Sequence, residues 1–323
     1  MTAPTMDLLW SYVYARKLDL PRFLGGLEVP RLRFFADSGA HSARTLGLDL
    51  SVDDYGRWCV EHQQWFTILA NLDVIGAPDA TRTNQQHLEE QYGLHPMPVY
   101  HTGEPFSVLE DYISDGYTYI ALGKLLGNSP NTLRPWLDRC FSLAHGRAVF
   151  HGFGLTVWPL LKRYPFYSVD SSTWGSGVRY GTLKIFDSGR WRSIDLRDHA
   201  AISRHTALLA SYGLQPRDMT SDHYDRAAVA GACALAQYRA ALWLRRIHGP
   251  IELSAGKGYP PATDPVSPKV IRLQPGPEPL HGYLADTAST NHVWHADGIS
   301  MYLADTSAKW TATAARVYGK ATP

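Results

Sequence analysis

Cysteine is scarce in this chain: there are three in 323 residues, and Cys59, Cys140 and Cys233 lie far apart. No CxxC or CxC pair occurs, which excludes a clustered cysteine zinc site and argues against a disulfide framework. An excess of one charge is also missing. With 31 Lys and Arg against 30 Asp and Glu, the formal net charge of +1 lends no support to a strongly basic nucleic-acid binder, though a local basic groove stays open. No run approaches the ~18 apolar residues of a membrane span, and the opening MTAPTMDLLWSYVYARK lacks a basic segment followed by an apolar one. The expectation is a soluble, cytoplasmic protein in a reducing setting, with no membrane partner. No GxGxxG follows the first apolar run, which argues against a dinucleotide-binding sheet.

What is present is a globular composition, 45% hydrophobic and 19% charged, with a repeated strand-then-helix pattern. Apolar runs at residues 8–15 (LLWSYVYA), 32–36 (LRFFA), 68–75 (ILANLDVI), 97–100, 117–122 (YTYIAL), 148–150 and 167–170 read as strands, nearly all followed by polar or glycine residues. Between them, residues 52–66, 79–92, 106–114, 130–144 and 156–163 read as helices. Ser51 is the expected N-cap of the first, with Asp53 and Asp54 in its first turn, and Gly93 the expected stop of the second. The alternation predicts an α/β fold, a TIM-type (β/α)8 barrel, over residues 1–250 including its closing helices at 196–212 and 224–247. Residues 183–186 (LKIF) either supply the eighth strand or form a hairpin. Residues 251–323 read as a Pro/Gly-rich C-terminal extension, helical and irregular. Its HVWHAD cluster, with His292, His295 and Asp297, reads as structural rather than as a metal site.

Three aspartates, Asp37, Asp73 and Asp170, fall at or near the ends of three predicted strands, and a closed barrel brings strand ends to one mouth. Aspartates also favour strand ends as turn formers, so Asp170, which opens the loop of residues 167–181 (YSVDSSTWGSGVRYG), has a plain structural reading as well. Carboxylates held close together are driven to different affinities for protons. One can then act as nucleophile and another as acid/base, the division of labour used to cleave bonds to a sugar carbon.

The ordered motifs ADSGAHS, a strand ending in aspartate, IALGKLLG, HGFGLT and VDSSTWGSGVRYG resemble the tRNA-guanine transglycosylase superfamily. They are most similar to its divergent phage and bacterial members, which place 7-deazaguanines in DNA. The resemblance covers roughly residues 32–181. It implies a transferase that exchanges guanine for a free 7-deazaguanine such as 7-cyano-7-deazaguanine, without metal, redox cofactor or ATP. On this resemblance Asp170 is the nucleophile and Asp37 the general acid/base. Asp73, Ser38, Gly39, His101, Gly123, Lys124, His151 and Gly152 would bind the base, with Asp73 reading its pyrimidine edge and backbone groups at Gly123 and Lys124 meeting its O6 or 7-substituent. Arg179, in a stretch similar to the family's SGRNG, would touch the nucleic acid, and Trp174 would stack a base or pack at the rim. His151 either bonds a carboxylate at the mouth or is a satisfied core histidine. Lys184, Arg190, Arg192 and Arg197 either line the substrate path or are solvated charges.

Two departures stand out. His101 takes the place of a glutamine, and the CxCxxC…H zinc site of the tRNA-acting members is absent. The second favours DNA as the partner, with tRNA as the alternative; an inactive barrel that only binds nucleic acid or a partner protein is a reading of another class. The resemblance leaves a homodimer open, and places a phage-encoded member in the host cytoplasm.

Overall fold

The computed structural model describes residues 5–219, 225–257, 294–296, 300–304 and 308–320. Eight strands form one parallel sheet: β1 (Thr5–Ser11), β2 (Arg31–Asp37), β3 (Ile68–Leu69), β4 (Val99–His101), β5 (Tyr119–Gly123), β6 (Val149–Gly152), β7 (Ser168–Ser171) and, after two antiparallel strand pairs described below, β12 (Ser300–Ala304). Their spatial order is β3-β2-β1-β12-β7-β6-β5-β4. The sheet curls, and its two end strands meet at a single parallel bridge between Ala70 and Met97. There the Met97 N–H donates to the Leu69 carbonyl at 2.7 Å and the Asn71 N–H to the Met97 carbonyl at 3.0 Å. The ladder thins to this one contact, so the sheet is a curled half-barrel and not an evenly closed one.

The contact is thin because β3 is short. Residues 72–75, expected to continue the strand, leave the ladder and are held by side chains of the helix Pro78–Tyr92 instead. Thr81 Oγ1 accepts the Val74 N–H at 2.9 Å, and Asn84 Nδ2 donates to the Leu72 carbonyl at 2.8 Å. Side-chain groups thus satisfy backbone atoms that a strand partner would otherwise hold.

Most helices fall where their signals stand. Ser51 caps Val52–His62 by accepting the Asp54 N–H at 3.2 Å, and Gly93 ends Pro78–Tyr92 in the left-handed conformation, φ 63°. Phe106–Ser114 and Pro130–Ala144 match their expected bounds. Two expectations change. The first strand ends at Ser11 and turns into a short helix, Tyr12–Ala15. The closing helix expected at 196–212 is two short ones, His199–Arg204 and Thr206–Ala210. Of the two alternatives for residues 183–186, the structure takes the hairpin: β8 (Thr182–Asp187) pairs antiparallel with β9 (Arg190–Asp195) outside the main sheet.

The eighth strand of the sheet is β12, set between β1 and β7 with Leu8 opposite Leu303 and Tyr302 opposite Asp170. The stretch read as an extension therefore supplies a central strand, and a boundary after residue 250 does not separate it from the sheet. A second antiparallel pair, β10 (Ile251–Leu253) with β11 (Trp294–Ala296), contributes Leu253 to the sheet's interior cluster with Leu9, Phe35, Val99 and Tyr302. His295 lies on β11, opposite Glu252; His292 and Asp297 lie outside the described residues.

The 23-residue helix Arg226–His248 is capped by Asp225, whose Oδ1 accepts the N–H groups of Ala227 and Ala228 at 2.8 and 3.0 Å. Among the described helices it alone is long and apolar enough to cross a membrane. It is a core helix here, with 61% of its most apolar window buried.

At the end of the sheet away from the aspartate cluster, Arg33 Nε donates to Asp7 Oδ1 at 2.7 Å, both side chains mostly buried. Burial opposes the guanidinium's charge, and Asp7 more than restores it, so the Arg33 pKa is raised. Removing one member of such a pair strands the other. Asp7→Ala should therefore cost about 3–5 kcal/mol in urea denaturation, while the apolar double swap Asp7→Leu/Arg33→Met should cost much less. Equal losses would show that the pair's charges are not what matters.

Candidate active site

Side chains alternate across a strand, so every second residue of each sheet strand points into the curl. On β2 that set is Arg33, Phe35 and Asp37; on β6, Val149 and His151; on β7, Ser168 and Asp170. The apolar members fill the interior, while the last inward residue of several strands is polar. Asp37, Asp73, His101, Gly123, Lys124, Asp170 and Arg179 line one cavity of about 730 Å³. Ser38, Gly39, His151 and Gly152 sit behind that wall.

Gly39 gives Asp37 its place. It adopts φ 79°, and a Cβ there would lie 2.7 Å from Val13 Cγ2. The glycine N–H then donates to Asp37 Oδ2 at 3.0 Å. A side chain would break this turn on both counts.

Asp170 is buried at the cavity floor. The Gly154 N–H donates to its Oδ1 at 2.6 Å, and His151 Nε2 lies 3.4 Å from the same oxygen. His151 is fully buried, and burial holds its pKa below the ordinary value against the pull of Asp170. The ring is therefore neutral. Its Nδ1 is 2.6 Å from Ser168 Oγ, which is 2.5 Å from the Tyr119 hydroxyl. Run from Tyr119 through Ser168 to Nδ1, this chain leaves the ring proton on Nε2, facing Asp170.

Asp73 is bound differently. His101 Nε2 donates to Asp73 Oδ2 at 2.8 Å, and His101 Nδ1 donates to Glu104 Oε1 at 2.9 Å. Glu104 Oε2 also accepts the His101 backbone N–H at 3.0 Å, while Ser38 Oγ is 3.5 Å from Asp73 Oδ1. Burial disfavours a charged imidazole, but the two carboxylates outweigh it and raise the His101 pKa to about 9. Gly123 makes room for this ring: a Cβ on it would fall 2.6 Å from His101 Cδ2.

Of the backbone groups at Gly123 and Lys124 expected to meet the base, the Lys124 carbonyl is already bonded to Thr102 Oγ1 at 2.9 Å and Asn128 Nδ2 at 3.0 Å. The Gly123 carbonyl accepts the Thr102 N–H at 3.3 Å. The Lys124 residue reaches the cavity through a left-handed backbone, φ 56°.

Trp174 does not offer a stacking face. It is 1% exposed, packed in the core with its indole N–H donating to the Ala304 carbonyl at 3.3 Å. Tyr14, 46% exposed, and Phe153 are the aromatics on the cavity wall. Of the five basic residues considered, Arg179 alone lines the cavity; Arg192 and Arg197 are ion-paired to Asp187 and Asp195.

Sequence reading missed Glu104, Tyr14, Arg44 and His41. His41 stands inside the ADSGAHS motif and Arg44 one helical turn after Ala40, a spacing that places both on the mouth side of helix Ala40–Leu46. Among the described residues, no group of three or more His, Cys, Asp or Glu is arranged to hold a metal ion. No family model, curated protein or solved structure matches this chain.

Because the His101 pKa is raised above its ordinary 6.5 to about 9, its charge stabilises the fold fully below pH 6.5, and that contribution is lost as pH rises to 9. The shift corresponds to about 3 kcal/mol. His101→Gln should remove this alkaline loss from the stability-versus-pH curve measured by urea denaturation between pH 6 and 10. An unchanged slope would place His101 among neutral histidines.

Proposed function

We propose that the protein is a base-exchange transglycosylase that replaces guanine in DNA with a 7-deazaguanine such as 7-cyano-7-deazaguanine. The convergence on one cavity of Asp37 at the end of β2, Asp73 on the loop after β3 and Asp170 on β7 carries this reading. We read the curled sheet as a TIM-type (β/α)8 barrel joined at Ala70 and Met97, and place the protein in the cytoplasm, where DNA is at hand.

In this reading Asp170 Oδ2 attacks C1′ of the nucleotide, the C1′–N9 bond breaks, and its electron pair leaves with guanine. The Gly154 N–H on Oδ1 orients the carboxylate. Neutral His151 beside it stabilises the anion without forming a full ion pair that would blunt the nucleophile. Asp37 gives a proton to the departing guanine. It then takes the N9 proton of the entering 7-deazaguanine, whose nitrogen displaces Asp170 from C1′. Two displacements at one carbon retain configuration. Asp73 accepts hydrogen bonds from the pyrimidine edge of the base. The base must leave its stack to enter, and Tyr14 and Arg179 at the wall suit a flipped nucleotide and its phosphates.

The test is to incubate the purified protein with duplex DNA and 7-cyano-7-deazaguanine, digest to nucleosides and look for the modified deoxynucleoside by mass spectrometry. Wild type should produce it, Asp170→Ala should not, and Asp37→Asn should be slower by about 10²–10⁴-fold. Modification of tRNA but not DNA would move the substrate to tRNA. Silence on both, or full activity in Asp170→Ala, would sink the proposed chemistry.

A further inference from the structure

The least expected group near the site is Glu104, from the loop after β4, which stands behind His101 and not on the cavity wall. Asp73, His101 and Glu104 stand in a row, their side chains 11%, 2% and 6% exposed, with a carboxylate oxygen within hydrogen-bond distance of each ring nitrogen. An ionised carboxylate only accepts, so a histidine flanked by two of them must donate from both nitrogens. The ring is then an imidazolium with neither nitrogen left for a ligand. Glu104 is itself fixed by a second bond, from the His101 backbone N–H, and its carbonyl accepts the Tyr100 hydroxyl at 3.1 Å.

We infer that Glu104 is a positioning residue that holds His101 as an imidazolium, and that the imidazolium holds Asp73 as an oriented anion whose Oδ1 faces ligands presenting N–H donors. The row carries two negative charges and one positive, so this end of the cavity is a net acceptor. It suits a heterocycle with adjacent ring N–H and amino donors, and disfavours one that offers an acceptor edge. The charged groups bearing on the ring are Asp73 and Glu104. From the helix Phe106–Ser114, Tyr112 feels both carboxylates, and burial keeps its phenol neutral. Asp37 and Lys124 share the cavity wall. Of all these, Glu104 alone is bonded to His101 and does not line the cavity, so its effect on a ligand must pass through the ring.

The identity of the ligand rests on the base-exchange reading; the state of His101 does not. Two measurements keep the inference and that reading apart. In the full chain labelled with ¹⁵N-histidine, the ring nitrogens of His101 should titrate as an imidazolium to about pH 9. In Glu104→Gln the midpoint should fall by about 1–3 pH units, while Glu104→Asp, which keeps the charge, should hold it above that of the glutamine variant. Affinity for 7-cyano-7-deazaguanine, measured by calorimetry, should be equal in wild type and Glu104→Gln at pH 6. At pH 8 it should be about tenfold weaker in the variant, because only the protonated fraction presents Asp73 correctly. A wild-type His101 that titrates near its ordinary value, or a midpoint that Glu104→Gln leaves in place, would overturn the inference. If Glu104→Gln fails to fold, Glu104→Asp and the wild-type titration still decide. If the base does not bind at all, the titration decides for Glu104 and the base-exchange reading fails alone.

Discussion

Everything at the candidate site depends on the two-residue repeat of a strand inside a curled parallel sheet. Because β1, β2, β4, β5, β6, β7 and β12 run the same way, their C-terminal ends share one side, and the last inward residue of each is delivered to that side whatever its chemistry. The interior beneath is closed by Leu9, Phe35, Val99, Tyr119 and Tyr302, so the polar groups on top stand on a dry floor. A dry floor has two effects. It strengthens the bond from Gly154 to Asp170, and it makes any unpaired charge costly, which is why His151 is held neutral while His101, with a carboxylate on each side, is charged.

The same constraint explains which parts were legible in the sequence. Helix caps and stops are local chemistry, so Ser51, Gly93 and the bounds of Phe106–Ser114 and Pro130–Ala144 could be read directly. Strand ends marked by Asp37, His101, Gly123, His151 and Asp170 were equally local, because each apolar run breaks at a polar or glycine residue. The eighth strand was not. Ser300–Ala304 enters the sheet only through partners more than a hundred residues away, Leu8 and Asp170 among them, and SMYLA carries no mark of a buried central strand. The nearer run at 183–186 was the stronger local signal, and a short connection through Gly189 claimed it for a hairpin.

Side-chain partners were the least legible. Trp174 follows the catalytic-looking loop in sequence, yet its bulk is taken up by the core against the helix Arg226–His248 and β12. Glu104 sits three residues beyond His101 in HTGEP, which reads as an ordinary turn, and only the fold of that turn returns its carboxylate to the imidazole. Asp73 is an intermediate case. Its position after β3 was plain, but a strand that stops at Leu69 puts it on a loop, where Thr81 and Asn84 set its height above the floor instead of a sheet partner.

A net charge of +1 conceals an ordered separation of charge around the cavity. Asp37, Asp73 and Asp170 line it together with Arg44, Lys124, Arg179 and His41, so both signs meet over a small volume whose sum is near zero. Arg44, Lys124 and Arg179 are exposed, while Asp170 and His101 are buried and Asp73 is partly so. Cations in solvent act at range and are weakened by salt; carboxylates in a low-dielectric floor act at contact and are weakened little. Under the base-exchange reading proposed above, a polyanion would meet the first set and a neutral donor edge the second, the two demands a nucleotide makes when its phosphates stay outside while its base goes in.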